Sequence, residues 1–428
     1  MTKPRVIIAG GGIAGTVAAL ALDRAGWAPR VYEARAAAAD ERGAFLTVAV
    51  NGLAALRALD LDPAVVLAAG FATPTLTMTN GAGRKLGVLP LGGPTADGTT
   101  TTTIRRADLY SALRQAAAAR GIPIAYGKGL RDFTEGPDGV SVTFADGTVS
   151  EGELLVGADG IRSRTRELLD PGGPAPSYLG LLNAGGFTPG PVEGVDASVP
   201  GMVHMAFGRR AFFGWTSAPD GSVWWFANPP RKQPVRPGDY TPESWRAHLV
   251  ELFSGDAFPA AAIIRATPEV LGPWNTDDLR RVRVWRTRRA VLIGDAAHAV
   301  APSSGQGASM ALEDAVTLGL CLPASAATSG SSGFSAAASS GPSAASGFAA
   351  SSLSLSYPAL SVADGLAEYE RRRRRRVERV VAVGRRNGSG KTAGPVGAVI
   401  RDAMFPLVMK LVHRKGDPQA WIYDHRVA

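Results

Sequence analysis

A glycine run near the N-terminus, Gly10-Gly11-Gly12-Ile13-Ala14-Gly15, leaves this chain few folds to choose from. Arg5 to Ala9 before it reads as a buried parallel strand, and Ile13 to Arg24 after it carries apolar residues at helical spacing. Arg30 to Glu33 returns as a second strand, so a βαβ unit stands at the start of the sequence. In such a unit Gly10 permits the tight turn, Gly12 lets the backbone approach a pyrophosphate, and Gly15 lets the helix pack closely. The helix N-terminus adds N–H groups and the positive end of its dipole. Glu33 ends the second strand, where a carboxylate accepts ribose hydroxyls and disfavours a 2′-phosphate. The pattern predicts a dinucleotide site for FAD or NAD rather than NADP, with Arg35 as a surface charge.

Composition sets the outer limits. The chain has 428 residues, 45% of them hydrophobic and 19% charged, enough apolar mass for two or three domains. No apolar run approaches the roughly 18 residues of a membrane-spanning helix. Val6 to Ala9 is too short for the apolar core of a signal peptide, so a soluble cytoplasmic protein is expected. One cysteine, Cys321, excludes an internal disulfide framework and a Cys-based zinc site. Five scattered histidines give no paired metal spacing, and no metal is expected. The net charge of +9 is concentrated after residue 360, where 15 Lys/Arg face seven Asp/Glu. The body before it is neutral, which argues against a nucleic-acid partner.

Further along, Gly52 to Leu59 and Ala107 to Arg120 read as helices. Val140 to Phe144 enters a hairpin at Asp146-Gly147, and Leu154 to Val156 is a buried strand. From Ser177 to Val282 short alternating aromatic runs predict an antiparallel sheet, with a helix over Trp245 to Phe253. Ala290 to Ile293 is again a buried strand and Gly307 to Leu322 a helix. Pro323 to Val362 is a Ser/Ala/Gly/Pro stretch without a charged residue, expected to be a flexible insert. Ala363 to Arg385 resumes as a helix carrying six consecutive arginines, Arg371 to Arg376.

Two more glycine-acid motifs follow buried strands. One is Gly157-Ala158-Asp159-Gly160 with Ser163 and Arg166. The other is Gly294-Asp295-Ala296-Ala297-His298, then Pro302, Gly305-Gln306-Gly307 and Glu313-Asp314. In this order the three motifs resemble the class A flavoprotein monooxygenases, of the para-hydroxybenzoate and salicylate hydroxylase type. The resemblance implies an α/β fold: a Rossmann-type FAD-binding domain, an inserted antiparallel β-sheet substrate domain, and C-terminal helices. It divides the chain into an FAD-binding domain of residues 1–72, 101–176 and 283–322, and a substrate domain of 73–100 and 177–282. The insert 323–362 and a C-terminal helical segment 363–428 complete it. Gly10, Gly12, Gly15 and Glu33 match the ADP-binding fingerprint, and Arg106 matches a flavin-contacting arginine. Asp159 matches an Asp-Gly motif used for both FAD and NAD(P)H, and Asp295 an acid on the ribityl chain. Pro302, Gly305, Gln306 and Gly307 match the loop beside the flavin ring.

What the resemblance implies is an FAD enzyme that consumes NADPH or NADH and O2. It inserts one oxygen atom into a hydrophobic aromatic or electron-rich substrate through a flavin hydroperoxide. The rival readings are a flavin-dependent halogenase, echoed by Trp224-Trp225-Phe226-Ala227-Asn228-Pro229, and a non-catalytic FAD-binding protein. His298 and Cys321 are read as structural, and Arg209 and Arg210 as surface charges. Two or three of Phe207, Phe212, Phe213, Trp215, Trp224, Trp225 and Phe226 are expected to line a pocket, since alternate strand residues face opposite sides. Six consecutive arginines cover every face of a helix, so some must lie inward; otherwise the run reads as a solvated helix with some arginines paired to Glu368, Glu370 and Glu378. The amphipathic stretch Val399 to Val412 is expected to pack on the body rather than on a membrane surface.

Overall fold

The computed structural model describes residues 2–37, 44–324, 361–389, 391, 397, 399–405 and 419–427. One sheet has five strands, all parallel. Its order is β18 (Ala290–Leu292), β12 (Leu154–Gly157), β1 (Arg5–Ala9), β2 (Ala28–Tyr32), β8 (Ile124–Ala125). Alternation along β1 splits its side chains between two layers. Val6 and Ile8 face helices α1 (Ile13–Arg24) and α9 (Gly307–Cys321), with Val31, Val156 and Val291 beside them. Ile7 and Ala9 face a small sheet of β9 (Leu130–Glu135), β10 (Val140–Phe144) and β11 (Val149–Gly152), through Val140, Val142 and Phe144. Coverage on both faces is why these strands are continuous apolar runs.

The larger sheet has seven strands in the order β17 (Leu271–Asp278), β13 (Ser177–Thr188), β16 (Val223–Asn228), β15 (Phe212–Ser217), β14 (Val203–Phe207), β5 (Thr75–Asn80), β6 (Lys85–Pro90). Neighbours pair antiparallel as the alternation predicts, with one departure: β14 and β5 run parallel, Met205 opposite Met78. These two strands belong to separate excursions from the first sheet, so a long connection rather than a hairpin joins them. One face is sealed by α6 (Pro242–Phe253) and α7 (Ala260–Ala266). Helix α6 starts where Thr241 accepts from the Ser244 amide in a reciprocal capping box, with Pro242 in its first turn. Its Trp245, Leu249 and Phe253 fall on one side and are fully buried against Phe213, Trp215 and Trp225. Truncating such an aromatic costs about 3–5 kcal/mol. The opposite face looks toward a three-stranded sheet of β3 (Phe45–Val48), β7 (Thr102–Arg105) and β4 (Phe71–Ala72).

Residues 325–360 of the Ser/Ala/Gly/Pro insert lie outside the described residues. Val362, counted with it by composition, instead opens the long helix Val362–Ser389 and is buried. That helix puts Val362, Leu366, Tyr369, Val377 and Val380 on one buried stripe, and Arg373 falls on the same stripe at 1% exposure. The run divides between solvent and interior, as its helical spacing requires. Arg371 and Arg372 pair with Glu368 at 2.6 Å, and Arg374 with Glu370 at 2.6 Å and Glu378 at 3.5 Å. Arg373 and Arg376 turn inward because helical spacing leaves a six-residue run no way to keep every side chain outside. Of the stretch 399–412, residues 406–412 lie outside the described residues. Phe405 packs on Leu76, Met78, Leu86 and Val203, whereas Val399, Ile400 and Met404 are exposed. Among the described residues no helix is long and apolar enough to cross a membrane.

Candidate active site

The three glycine-acid motifs meet at the carboxyl ends of β1, β12 and β18. Gly10, at φ +106°, lies so close to the second motif that an added Cβ would stand 2.4 Å from the Ala158 carbonyl oxygen. A Cβ on Gly15 would stand 1.9 Å from the Gly10 carbonyl oxygen, and one on Gly294 2.7 Å from Ala14. These glycines are forced by close approach of backbone to backbone. Gly12, Gly160 and Gly305 are different: a Cβ there would meet nothing within 4 Å. The open side of each turn forms a cradle that backbone N–H groups can present to an anion.

Acidic and basic groups border that cradle. Glu33 accepts from the Gly11 amide at 2.8 Å and the Arg35 amide at 3.1 Å, which aims its carboxylate at the glycine turn. Arg35 is exposed. Asp295 opens α8 (Asp295–His298) with its side chain exposed to the cleft, and makes no hydrogen bond among the described residues. The protein mass around it holds its carboxyl above the usual range, against the pull of His298 and Arg106. Arg106 donates to the Tyr110 hydroxyl at 2.9 Å. Desolvation pulls its pKa down, but Tyr110 and Asp295 outweigh that and keep it raised. Arg106 and Asp295 thus lie within electrostatic reach of each other, both exposed. Asp159 is already engaged: it accepts from Ser163 on one oxygen, and from the Thr165 amide and hydroxyl at 2.9 Å on the other. It builds its turn from within. Buried Arg166 ties that turn to the third motif by donating to the Ile161 carbonyl at 2.7 Å and the Ala296 carbonyl at 3.1 Å.

The third motif continues through Pro302, Gly305 at φ +61°, and Gln306 into α9. Pro302 and Gly305 are exposed, while Gln306 is buried and accepts from Asn51 at 3.0 Å. Asn51 also donates to Glu313 at 2.7 Å. Behind the loop, Arg373 donates to Glu313 at 2.5 Å and Asp314 at 2.7 Å, and Arg376 donates to Glu313 at 2.7 Å and 2.8 Å. Asp314 also accepts from the Gly294 amide at 2.8 Å and pairs with His298, so the buried charges set the shape of the turn carrying Asp295. Burial pushes Asp314 up, but His298 and Arg373 win and bring it to about 2. His298 is 3% exposed and packs on Trp285, a structural place, and Cys321 is a buried thiol pushed up by desolvation.

The seven-stranded sheet presents an aromatic face on the side away from α6 and α7. Strand β16 sends Trp224 and Phe226 to one side and Trp225 to the other. Trp224 meets Phe45, Phe71 and Phe187 at ring distances of 5.0–5.7 Å, and Phe226 meets Phe45 and Phe212 at 6.2 and 6.1 Å. Arg105 lies over Phe187 at 4.5 Å and Trp224 at 5.3 Å. Strand β3, which carries Phe45, leads to Ala49, whose amide donates to Ser309 of α9 at 3.0 Å. Of the seven aromatics singled out in sequence, Phe213, Trp215 and Trp225 belong to the helix-covered core, and Phe207, Phe212, Trp224 and Phe226 to the opposite face. Arg209 and Arg210 are exposed at the turn between β14 and β15. Sequence reading missed Phe45, Phe71, Phe187, Arg105 and Lys391, whose Nζ donates to Asn228 at 2.7 Å. Each arrives from a distant segment, and only the register of β3 on β7, Phe45 opposite Arg105, brings the first of them in.

A parallel sheet with anion-accepting turns at its carboxyl ends defines a dinucleotide-binding protein. Residues 3–340 match the family model described as FAD binding domain. The chain is 35% identical over 320 residues to aurachin C monooxygenase/isomerase of Stigmatella aurantiaca, spanning 74% of this chain and 80% of that protein. It is 30% identical over 321 residues to 6-hydroxynicotinate 3-monooxygenase of Bordetella bronchiseptica, spanning 74% and 82%. Its fold is similar to the crystal structure of Klebsiella pneumoniae HpxO complexed with FAD and uric acid, with a TM-score of 0.76, 22% identity, and 96% and 95% coverage. The chain belongs to the class A FAD-dependent monooxygenases, and FAD is its cofactor.

Proposed function

We propose that this enzyme uses NADH or NADPH and O2 to hydroxylate a flat aromatic molecule held between the seven-stranded sheet and the flavin. The balance is C–H + O2 + NAD(P)H + H⁺ giving C–OH + H2O + NAD(P)⁺. The observation that carries this reading is the cluster Phe45, Phe71, Phe187, Trp224 and Phe226, whose strand β3 runs on to Ala49, hydrogen-bonded to Ser309 of α9. An apolar aromatic wall of this kind receives a planar ring and excludes water from the reacting centre. The activity of one relative, 6-hydroxynicotinate 3-monooxygenase, supports an aromatic substrate.

Bound FAD supplies the redox and oxygen chemistry, and the chain supplies position and field. In this reading Gly10, Gly12 and Gly15 cradle the pyrophosphate, and Glu33 takes the ribose hydroxyls. Asp295 takes the ribityl chain, with Arg106 alongside. Asp159 holds the second turn in shape. Pro302, Gly305, Gln306 and Gly307 would flank the flavin, and the positive end of α9 would favour negative charge on it. The FAD-binding unit then comprises 1–72, 101–176 and 283–322, and the substrate unit 73–100 and 177–282.

The test is a panel of phenols, hydroxypyridines, indoles and aromatic acids added to the FAD-loaded protein, with NADH and NADPH oxidation followed. At least one aromatic accelerates oxidation and gains one oxygen atom in mass. A gain of chlorine or bromine in the presence of halide moves the assignment to a halogenase, and no acceleration by any aromatic refutes the reading.

A further inference from the structure

The last turns of the long C-terminal helix rest on the flavin loop. Ser303 donates to the Gly384 carbonyl at 2.8 Å, and Cβ atoms built on Gly384 and Gly388 would stand 3.1 Å from Ser304 and 3.2 Å from the Ser303 hydroxyl. Lys391 comes three residues after Gly388, a reach of at most about 11 Å. Its Nζ lands on the aromatic face of the sheet, 2.7 Å from Asn228 Oδ1, with Phe212 at 4.2 Å and Phe226 at 5.7 Å. Gly388 thus touches the flavin loop, and the Lys391 amine lies on the aromatic sheet face.

The polar groups around it fix which way the amine is held. Asn228 donates its amide to Asn183 Oδ1 at 2.8 Å and to the Leu182 carbonyl at 3.4 Å, which leaves its own oxygen for Lys391. Asn183 donates in turn to Thr276 at 2.8 Å, so a ladder across β17, β13 and β16 braces the site. Among the described residues Lys391 has no carboxylate partner. Asp278 on β17 is taken by Arg385 at 2.7 Å, and Asp402 by Arg401 at 2.8 Å and Asn80 at 2.7 Å. One hydrogen bond occupies one of three donors.

We propose that Lys391 is a substrate-facing residue that takes the proton of an acidic hydroxyl on an aromatic ring and pairs with the oxygen anion left behind. The O–H bond breaks, its electron pair stays on oxygen, and the proton forms the third N–H of the ammonium. Burial brings the amine down to about 7, so a share of it is neutral near pH 7 and able to accept that proton. The rings of Phe212 and Phe226 then favour the cation. A ring carrying O⁻ is more electron-rich at its ortho and para carbons, where oxygen is to be inserted. The inference rests on the hydroxylase reading and narrows its substrate to hydroxylated aromatics.

The probe is 4-nitrophenol, whose anion has its own absorption band, with 4-nitroanisole as the partner lacking an acidic proton. Both are titrated into FAD-loaded protein, wild type and the Lys391→Met and Lys391→Arg variants, with flavin content and melting temperature as controls for folding. Wild type is expected to bind 4-nitrophenol as the anion at pH 6.5–8, at least about tenfold more tightly than Lys391→Met. Lys391→Arg recovers most of that affinity, and 4-nitroanisole binds all three alike. Equal binding of 4-nitrophenol by wild type and Lys391→Met overturns the proposal. So does its binding as the neutral phenol, or a parallel loss of both probes. If aromatics accelerate NAD(P)H oxidation while 4-nitrophenol fails to bind, Lys391 alone loses its role. If no aromatic does so, the hydroxylase reading fails first.

Discussion

Replacing Arg373 by methionine keeps most of the side-chain volume and removes the charge that neutralises two buried acids. Arg373 is 1% exposed, and Glu313 and Asp314 are 0% exposed. Each acid keeps other partners: Glu313 keeps Arg376 and Asn51, and Asp314 keeps His298 and the Gly294 amide. Breaking a buried ion pair on one side costs about 3–5 kcal/mol, and the remaining partners put this case at the lower end, about 3 kcal/mol. With about 2.1 cal/mol/K of unfolding entropy per residue, 428 residues shift the midpoint by about 1 °C per kcal/mol, so melting should fall by about 3 °C or slightly more at pH 7. The pH dependence gives a sharper signature. Glu313 and Asp314 both have folded pKa values lowered below their ordinary 4.5 and 3.8. Their contribution is complete above those ordinary values and is lost as pH falls through the lowered ones. In Arg373→Met the acids titrate higher and are relieved by protonation, so the gap between variant and parent should narrow from pH 7 toward pH 4. Differential scanning fluorimetry across that range is the assay. A variant that melts within 1 °C of the parent at pH 7, or a gap that widens on acidification, would refute the reasoning.

Asp295→Ala should weaken FAD binding by roughly 10- to 150-fold, the loss of one charge-assisted hydrogen bond of about 1.5–3 kcal/mol, read by flavin fluorescence titration. Gly12→Ala should leave the melting point of the flavin-free protein unchanged and lower FAD affinity, because its methyl group meets no protein atom within 4 Å and occupies the cradle itself. Gly15→Ala should destabilise the flavin-free protein, since its methyl group would stand 1.9 Å from the Gly10 carbonyl oxygen. Residues 325–360 should be replaceable by a short Gly-Ser link with full FAD content. The segment's flanks already meet, a Cβ on Gly365 standing 2.4 Å from the Cys321 carbonyl oxygen, and each doubling of loop length changes closure by only about 0.6 kcal/mol.

The parallel sheet was legible because its determinants are local. Val6 to Ala9, Leu154 to Val156 and Ala290 to Leu292 are short apolar runs ending in glycine turns, and each is a strand at the place where its motif begins. The helix over Trp245 to Phe253 was legible for the same reason, through four-residue apolar spacing. Partnership over long distance was not. A six-arginine run carries no local mark of which residue turns inward. Arg373 is selected by its place on the stripe Leu366, Tyr369, Val377, Val380 and by acids some sixty residues earlier. Strand alternation gave the division of the aromatic runs into two faces, but Phe45, Phe71 and Phe187 join Trp224 only through tertiary packing. Lys391 reaches Asn228 across 163 positions, with no periodic pattern to announce it.

The proposed reaction splits O2 between an aromatic product and water. The direct measurement is turnover of FAD-loaded protein with NAD(P)H and an activating aromatic under ¹⁸O2, with the product analysed by mass spectrometry. One ¹⁸O atom per product molecule, and one NAD(P)H consumed for each, is the result the account predicts. Product oxygen drawn from water, or NAD(P)H oxidation that ends wholly in hydrogen peroxide with every aromatic tried, would contradict it.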